Sequence, residues 1–199
     1  MWKNALKRLA EVDADKGLPS VTGLMGRRYL YEECRKLKAK NILEIGTHMG
    51  YTSLVLALAA EYEDGHVTTV DNSPRHKDHA VALAQGAGLE NRITFVTNKT
   101  SIEYLSRTPK TFDVAFIDGG HGEENVLSEL CVLRHKMNTS GVIFLHDVFP
   151  PDELARPGER LIPGPWRAVD RFMDFAPDMK FEFVRTYKGE IIRMGRITL

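Results

Sequence analysis

The chain has little of anything that would set it apart from an ordinary globular protein, and each shortage excludes something. It has two cysteines, Cys34 and Cys131, both in helical patterns and without metal-type spacing. A zinc module and a disulfide-stapled scaffold are therefore excluded, and the thiols are expected to be reduced and buried in a cytoplasmic protein. It has no charge of one sign in excess: Lys plus Arg and Asp plus Glu number 27 each, so no global field draws it to nucleic acid or to a membrane surface. No apolar run approaches the roughly 20 residues of a membrane span. Lys3, Lys7 and Arg8 lead into no apolar core, so no secretory signal is expected. Internal repeats and low-complexity tracts are absent as well.

What the chain does have is 199 residues, 43% of them apolar, which suits one α/β domain with a substantial core. Its organising stretch is residues 41–53, Asn-Ile-Leu-Glu-Ile-Gly-Thr-His-Met-Gly-Tyr-Thr-Ser. Ile42–Ile45 reads as a short buried strand, Gly46 ends it, and Gly50 leads into the apolar run Tyr51–Ala60. Strand, glycine turn and helix open a nucleotide-binding α/β unit. Glycine lets the backbone turn sharply and lie against a ligand, and the N–H groups at the helix start are expected to face whatever anion the ligand carries. A glycine turn alone fits many βα connections. Two acids narrow the reading. Glu44 sits near the end of an apolar strand, which is costly unless something polar binds it. Asp71 ends the next strand, His66–Val70, at about the 20-residue distance where an acid holds ribose hydroxyls. The dinucleotide pattern needs glycine where His48 stands, which counts against NAD and favours a cofactor without phosphate.

Along the chain, residues 2–12 form an amphipathic helix with Leu6 and Leu9 on one face, and residues 17–20 break it. Val21–Gly26 reads as a partly apolar loop before a helix over Arg27–Lys38. Residues 1–26 are thus an N-terminal helix and lid-like segment, and residues 27–199 a single domain. The first helix packs either on its own domain or on a second copy. Ser73-Pro74 predicts a helix start, with the helix running to about Gln85. Ile93–Thr97 is a third strand, followed by a short helix after Thr100-Ser101. Phe112–Ile117 is a near-continuously apolar fourth strand ending in Asp118-Gly119-Gly120-His121. A helix with Val126, Leu127, Leu130 and Leu133 on one face leads to a fifth strand, Gly141–Leu145, ending in His146-Asp147. Residues 149–165 read as a long loop at the same end of the sheet. A helix marked by Trp166, Val169, Phe172 and Met173 and a hairpin of Phe181–Tyr187 with Ile191–Ile197 complete the chain.

Leu-Glu-Ile-Gly-Thr-His-Met-Gly-Tyr-Thr-Ser resembles motif I of class I S-adenosylmethionine-dependent methyltransferases, and the resemblance extends from about residue 25 to the end. It implies an α/β, Rossmann-like fold: a mostly parallel seven-stranded sheet, helices on both faces, and a C-terminal antiparallel hairpin. It implies S-adenosylmethionine as cofactor. Gly46, Thr47, His48, Gly50 and Ser53 would hold the methionine moiety, with Glu44 reaching its amino group. Asp71 and Asn72 would hold the ribose, and Thr100 and Ser101 would border the adenine. A plain helix cap by Thr100 or Ser101 fits equally well.

Glu44, Asp71, Asp118 and Asp147 all end strands at the edge where open parallel sheets bind ligands. Asp118, His121, His146 and Asp147 come from neighbouring strand ends and are expected to converge. Carboxylate and imidazole together suit a divalent ion, which would hold substrate oxygens and ease loss of a hydroxyl proton. His121, one tight turn beyond Asp118, is the candidate general base. Phe-Ile-Asp-Gly-Gly-His and Leu-His-Asp-Val resemble the branch containing macrolide-sugar O-methyltransferases and cephalosporin-hydroxylase-like proteins. That resemblance implies Asp118 as both a cofactor-side and a catalytic residue, and Mg2+ held by Asp118 with residues 146 and 147. His146 departs from the pattern, being a poorer magnesium ligand than an acid. The site then takes another divalent metal through Asp118, His146 and Asp147, uses the two acids with water, or binds none. The resulting reading is metal-assisted O-methylation of a small hydroxylated acceptor, a sugar or natural product. The alternatives are a metal-independent enzyme with His121 as base, and a catalytically inactive S-adenosylmethionine-binding module. No nucleic-acid or membrane partner is expected, and homo-oligomerisation stays open.

Overall fold

Alternation along one central strand sets the layers of the molecule. The computed structural model describes residues 1–12, 22–150 and 163–198. In β1 (Asn41–Ile45), Ile42 joins one apolar cluster with Leu54 and Val55 of α3 (Tyr51–Ala60). Leu43 and Ile45 point the other way and join a second cluster with Leu130 of α6 (Glu123–Leu133). The period of two puts Glu44 on the α3 face, where its side chain is fully buried. All ten residues of α3 are buried, as its lack of a polar face requires.

β1 lies inside a seven-stranded sheet of order β3-β2-β1-β4-β5-β7-β6 among the described residues. The strands are β2 (His66–Asp71), β3 (Ile93–Thr97), β4 (Phe112–Ile117), β5 (Met137–Leu145), β6 (Lys180–Tyr187) and β7 (Glu190–Thr198). β1 to β5 pair in parallel, and β7 runs antiparallel between β5 and β6. The parallel core with its closing hairpin is the fold the motif resemblance implied. The chain winds outward in opposite directions from β1 and β4, so a crevice opens at their carboxyl ends.

Four boundaries differ from the sequence expectation. α2 (Gly23–Lys36) starts at Gly23, so residues 23–26, expected in a loop, are helical and the expected domain boundary after residue 26 falls inside a helix. Gly23 and Gly26 look like breakers, but Met25, Tyr29 and Leu30 pack into the α3 cluster, and tertiary contact overrides the weak propensity penalty. α4 (Lys77–Gly86) starts beyond Ser73-Pro74, because Asp71 Oδ1 accepts the Ser73 N–H at 2.8 Å and holds those residues in a turn. β5 starts at Met137 rather than Gly141, and Cys131 is half-buried where it was expected to be buried. The first helix, α1 (Trp2–Val12), packs on its own chain: Trp2, Ala5 and Leu9 are buried, and the Trp2 ring lies 5.3 Å from that of Tyr31. The break over residues 17–20 and most of the 149–165 loop lie outside the described residues. The short α5 (Ser101–Leu105) and the longer α7 (Gly164–Phe175) complete the α-helices among the described residues.

Candidate active site

The crevice begins with the glycine turn after β1. Gly46 has φ 97°, and a Cβ there would overlap the Asp118 carbonyl on the neighbouring strand end, so only glycine lets the β1 and β4 ends close together. Gly50, at φ 85°, precedes α3 and abuts Ala80. Between them, the Thr47 and His48 N–H groups each donate to Asp71 Oδ2 at 3.0 Å. These two loop amides are taken by an anion of the chain itself, which welds the β1 and β2 loops. Asp71 stays at the rim, lining the cleft.

That cleft has a volume of about 420 Å³. The structure places Gly46, His48, Asp71, Asn72, Thr100, Ser101 and Asp118 along it, all of them named from sequence. Thr47 and Gly50 line an adjoining hollow of about 190 Å³ with Thr22, Tyr51 and His121. Glu44 and Ser53 line neither. Ser53, fully buried, donates its hydroxyl to Glu44 Oε2 beneath the loop, while Glu44 Oε1 is buried without a partner. Thr100 does cap α5 in a reciprocal pair with Glu103, so the cap reading holds for Thr100, whereas Ser101 turns inward.

Burial raises the Glu44 carboxyl to about 8, so it is protonated at neutral pH when the cleft is empty. Between the carboxyl's unfolded value and about 8 the native state keeps a proton that the unfolded chain has released, so native stability falls as pH rises through that window. Glu44→Gln removes this loss. Thermal melts without cofactor should show Glu44→Gln gaining roughly 4 °C or more on the wild type at pH 8, with little gain at pH 4.5.

The chemical end of the crevice is built from β4 and β5. His121 Nε2 lies 3.2 Å from Asp147 Oδ2 and 3.9 Å from Asp118 Oδ1. His146 Nδ1 lies 3.3 Å from an oxygen of each acid. Neither nitrogen is aligned for a hydrogen bond with these carboxylates, so these are charge contacts. Asp147 raises His121 above its ordinary value. Burial opposes charge on His146, yet the two carboxylates outweigh it and push the imidazole up to about 10. Burial likewise opposes charge on Asp147, and the two imidazoles still hold its carboxyl well below the usual range.

One donor each from Asp118, His121 and Asp147 falls within 4.8 Å of the others, a set that fits a divalent ion. His121 replaces His146 in the expected metal set. His146, 6% exposed, contacts both acids through Nδ1. Sequence reasoning did not single out Thr22, Asn125 or Glu129. Thr22 Oγ1 donates to Asp118 Oδ2 at 2.8 Å from the start of α2. Glu129 left one legible signal: it stands on the apolar stripe of α6 formed by Val126, Leu130 and Leu133.

Comparison with known proteins agrees with this geometry. Residues 43–148 match a family model described as a methyltransferase domain. The chain belongs to that methyltransferase family. The methyltransferase is 34% identical over 178 residues to caffeoyl-CoA O-methyltransferase of Populus kitakamiensis, covering 85% of this chain and 74% of that one. Its fold is shared with the cofactor-bound protein Rv0187 from MTB, at a TM-score of 0.77 and 23% identity over 98% of this chain and 89% of the other. It is shared also with the O-methyltransferase TomG from Streptomyces achromogenes, solved with SAM, at a TM-score of 0.72 and 19% identity over 98% and 89%. Among the described residues no helix of the methyltransferase is long and apolar enough to cross a membrane.

Proposed function

We propose that the protein is an S-adenosylmethionine-dependent O-methyltransferase acting on a small hydroxylated molecule in the cytoplasm. The observation that carries this is the meeting of Asp118, His121 and Asp147 where the 420 Å³ cleft and the smaller hollow join at Asp118. S-adenosylmethionine, when bound, supplies a methyl group on a sulfonium, so the protein needs mainly to align the acceptor and exclude water. Gly46, His48, Asp71, Asn72, Thr100 and Ser101 supply the cleft that would hold it.

The orphaned His121 nitrogen and the two carboxylates fit a divalent cation, which when bound would lower the pKa of a hydroxyl beside it. Where no cation occupies that nitrogen, His121 Nε2 takes the acceptor's hydroxyl proton instead, and Asp147 holds the ring in place. Thr22, just before α2, closes over Asp118. The tight packing of His146 between both acids favours a second reading, in which its imidazolium already neutralises the pair and His121 works without metal.

Calorimetry and a methyl-transfer assay over a panel of phenols, vicinal diols and sugars separate these readings. Expected is binding of S-adenosylmethionine and its demethylated product but not NAD. Turnover should fall about 100-fold or more in chelator and return with Mg2+ or Mn2+. Full turnover in chelator would sink the metal role and leave His121 as the base. Binding of NAD alone would sink the whole proposal.

A further inference from the structure

Two residues other than glycine take left-handed backbone angles where β5 meets β7. Asp147, at φ 55°, is the acid that meets His121 and His146. Arg193, at φ 47°, lies inside β7. A bulky side chain at such an angle is strained, and strain of this kind persists only where the surroundings over-determine it. At Arg193 the local cause is a β-bulge. The β6–β7 pairs step from Val184–Met194 to Thr186–Ile191, so one residue of β6 opposes two of β7. Glycine or asparagine would take that angle with less strain. What arginine adds is its guanidinium, whose carbon lies 4.6 Å from the centre of the Phe149 ring.

We propose that Arg193 is a positioning residue for Asp147, which rests on Asp147 belonging to the chemical end of the crevice. The β5–β7 ladder ends at Leu145–Gly195, and the His146 N–H donates to the Ile117 carbonyl oxygen at 3.0 Å. The chain before Asp147 is therefore tied to β4 and β7. After it, the Val148 N–H donates to the Arg193 carbonyl oxygen at 3.3 Å, and Val148 is fully buried. A Cβ on Gly195 would come within 3.0 Å of Val148 Cγ2, so β7 passes close to that residue. Phe149, 8% exposed, lies under the Arg193 guanidinium. Asp147 is thus strung between two anchored segments, and the left-handed turn that joins them aims its carboxylate at the imidazoles of His121 and His146. Arg193 lines neither the 420 Å³ cleft nor the smaller hollow, so it acts through the Asp147–Phe149 backbone and not on a ligand.

Two variants test this in the full chain. Arg193→Asn keeps a residue that tolerates the left-handed angle and removes the guanidinium, whereas Arg193→Lys keeps a cation over Phe149. A crystal structure of Arg193→Asn should show the Asp147 carboxylate withdrawn from His121 Nε2 by about 1 Å or more. Calorimetry with Mn2+ alone should show binding weakened about tenfold or more, and kcat should fall about 10- to 100-fold. Affinity for S-adenosylhomocysteine should stay within about twofold and the melting temperature within about 4 °C. Arg193→Lys should recover most of kcat and the wild-type place of Asp147. Where the wild type binds no Mn2+, the carboxylate position and kcat carry the test. An unmoved Asp147 in Arg193→Asn overturns the proposal whatever the kinetics, and so does an equal loss in the lysine variant. A displaced Asp147 with full turnover supports the positioning and overturns instead the part given to Asp147 in the chemistry.

Discussion

Asp147→Ala is expected to lower kcat by roughly 100- to 10,000-fold while changing affinity for S-adenosylhomocysteine by no more than about twofold. Asp147 does not line the cofactor cleft. Its oxygens lie 3.2 Å from His121 Nε2 and 3.3 Å from His146 Nδ1. Removing it leaves the His121 ring without the group that orients it, takes one of three donors from the candidate metal set, and leaves His146 with Asp118 alone. Loss of one partner from a buried charged cluster also costs stability, so a denaturation curve must accompany the kinetics. Asp147→Asn, which keeps the shape, separates the two effects: it should fold like the wild type and still be slow. Near-normal turnover in both variants would remove the β5 end from the chemistry.

Gly46→Ala is expected to have the largest effect on the molecule as a whole: a stability loss of roughly 3 kcal/mol or more and no measurable cofactor binding. Two causes add. At φ 97° an L side chain is strained, and its Cβ would meet the Asp118 carbonyl, which is backbone and cannot rotate away. The β1 and β4 ends would have to part, and those ends form the crevice floor. Gly88→Ala is the control. Its φ is 65°, with nothing within 4 Å of an added Cβ, so it should cost only about 1 kcal/mol and leave binding intact. Urea denaturation and calorimetry on both variants suffice. Similar losses in the two would mean that the close approach at Gly46 does not matter.

Much of this architecture was readable from period and punctuation. The apolar runs of β1, β4 and β5 each end at an acid or a glycine turn, and strands buried on both faces leave few other interpretations. The boundaries that moved did so where long-range contact outweighed local preference. α2 runs through Gly23 and Gly26 because its apolar residues dock on α3. α4 waits until Lys77 because Asp71 has captured the Ser73 amide.

The site divides in the same way. Which strand ends would carry acid, and that Asp118, His121, His146 and Asp147 would meet, followed from chain order and from the rule that open parallel sheets bind ligands at the carboxyl ends of their strands. Which atom meets which did not. The pleat, not the position in sequence, turned Glu44 under α3 rather than into the cleft. The turn geometry spent the loop amides of Thr47 and His48 on Asp71. The helical register of α6 carried Glu129 to the cleft wall, its place on the apolar stripe being the one local sign of that burial. Sequence determined the kinds of group present and the edge of the sheet they share, because periodicity and connection rules are local. The tertiary structure decided their partners, since a side chain's hydrogen bonds and charge state depend on elements far away in the chain.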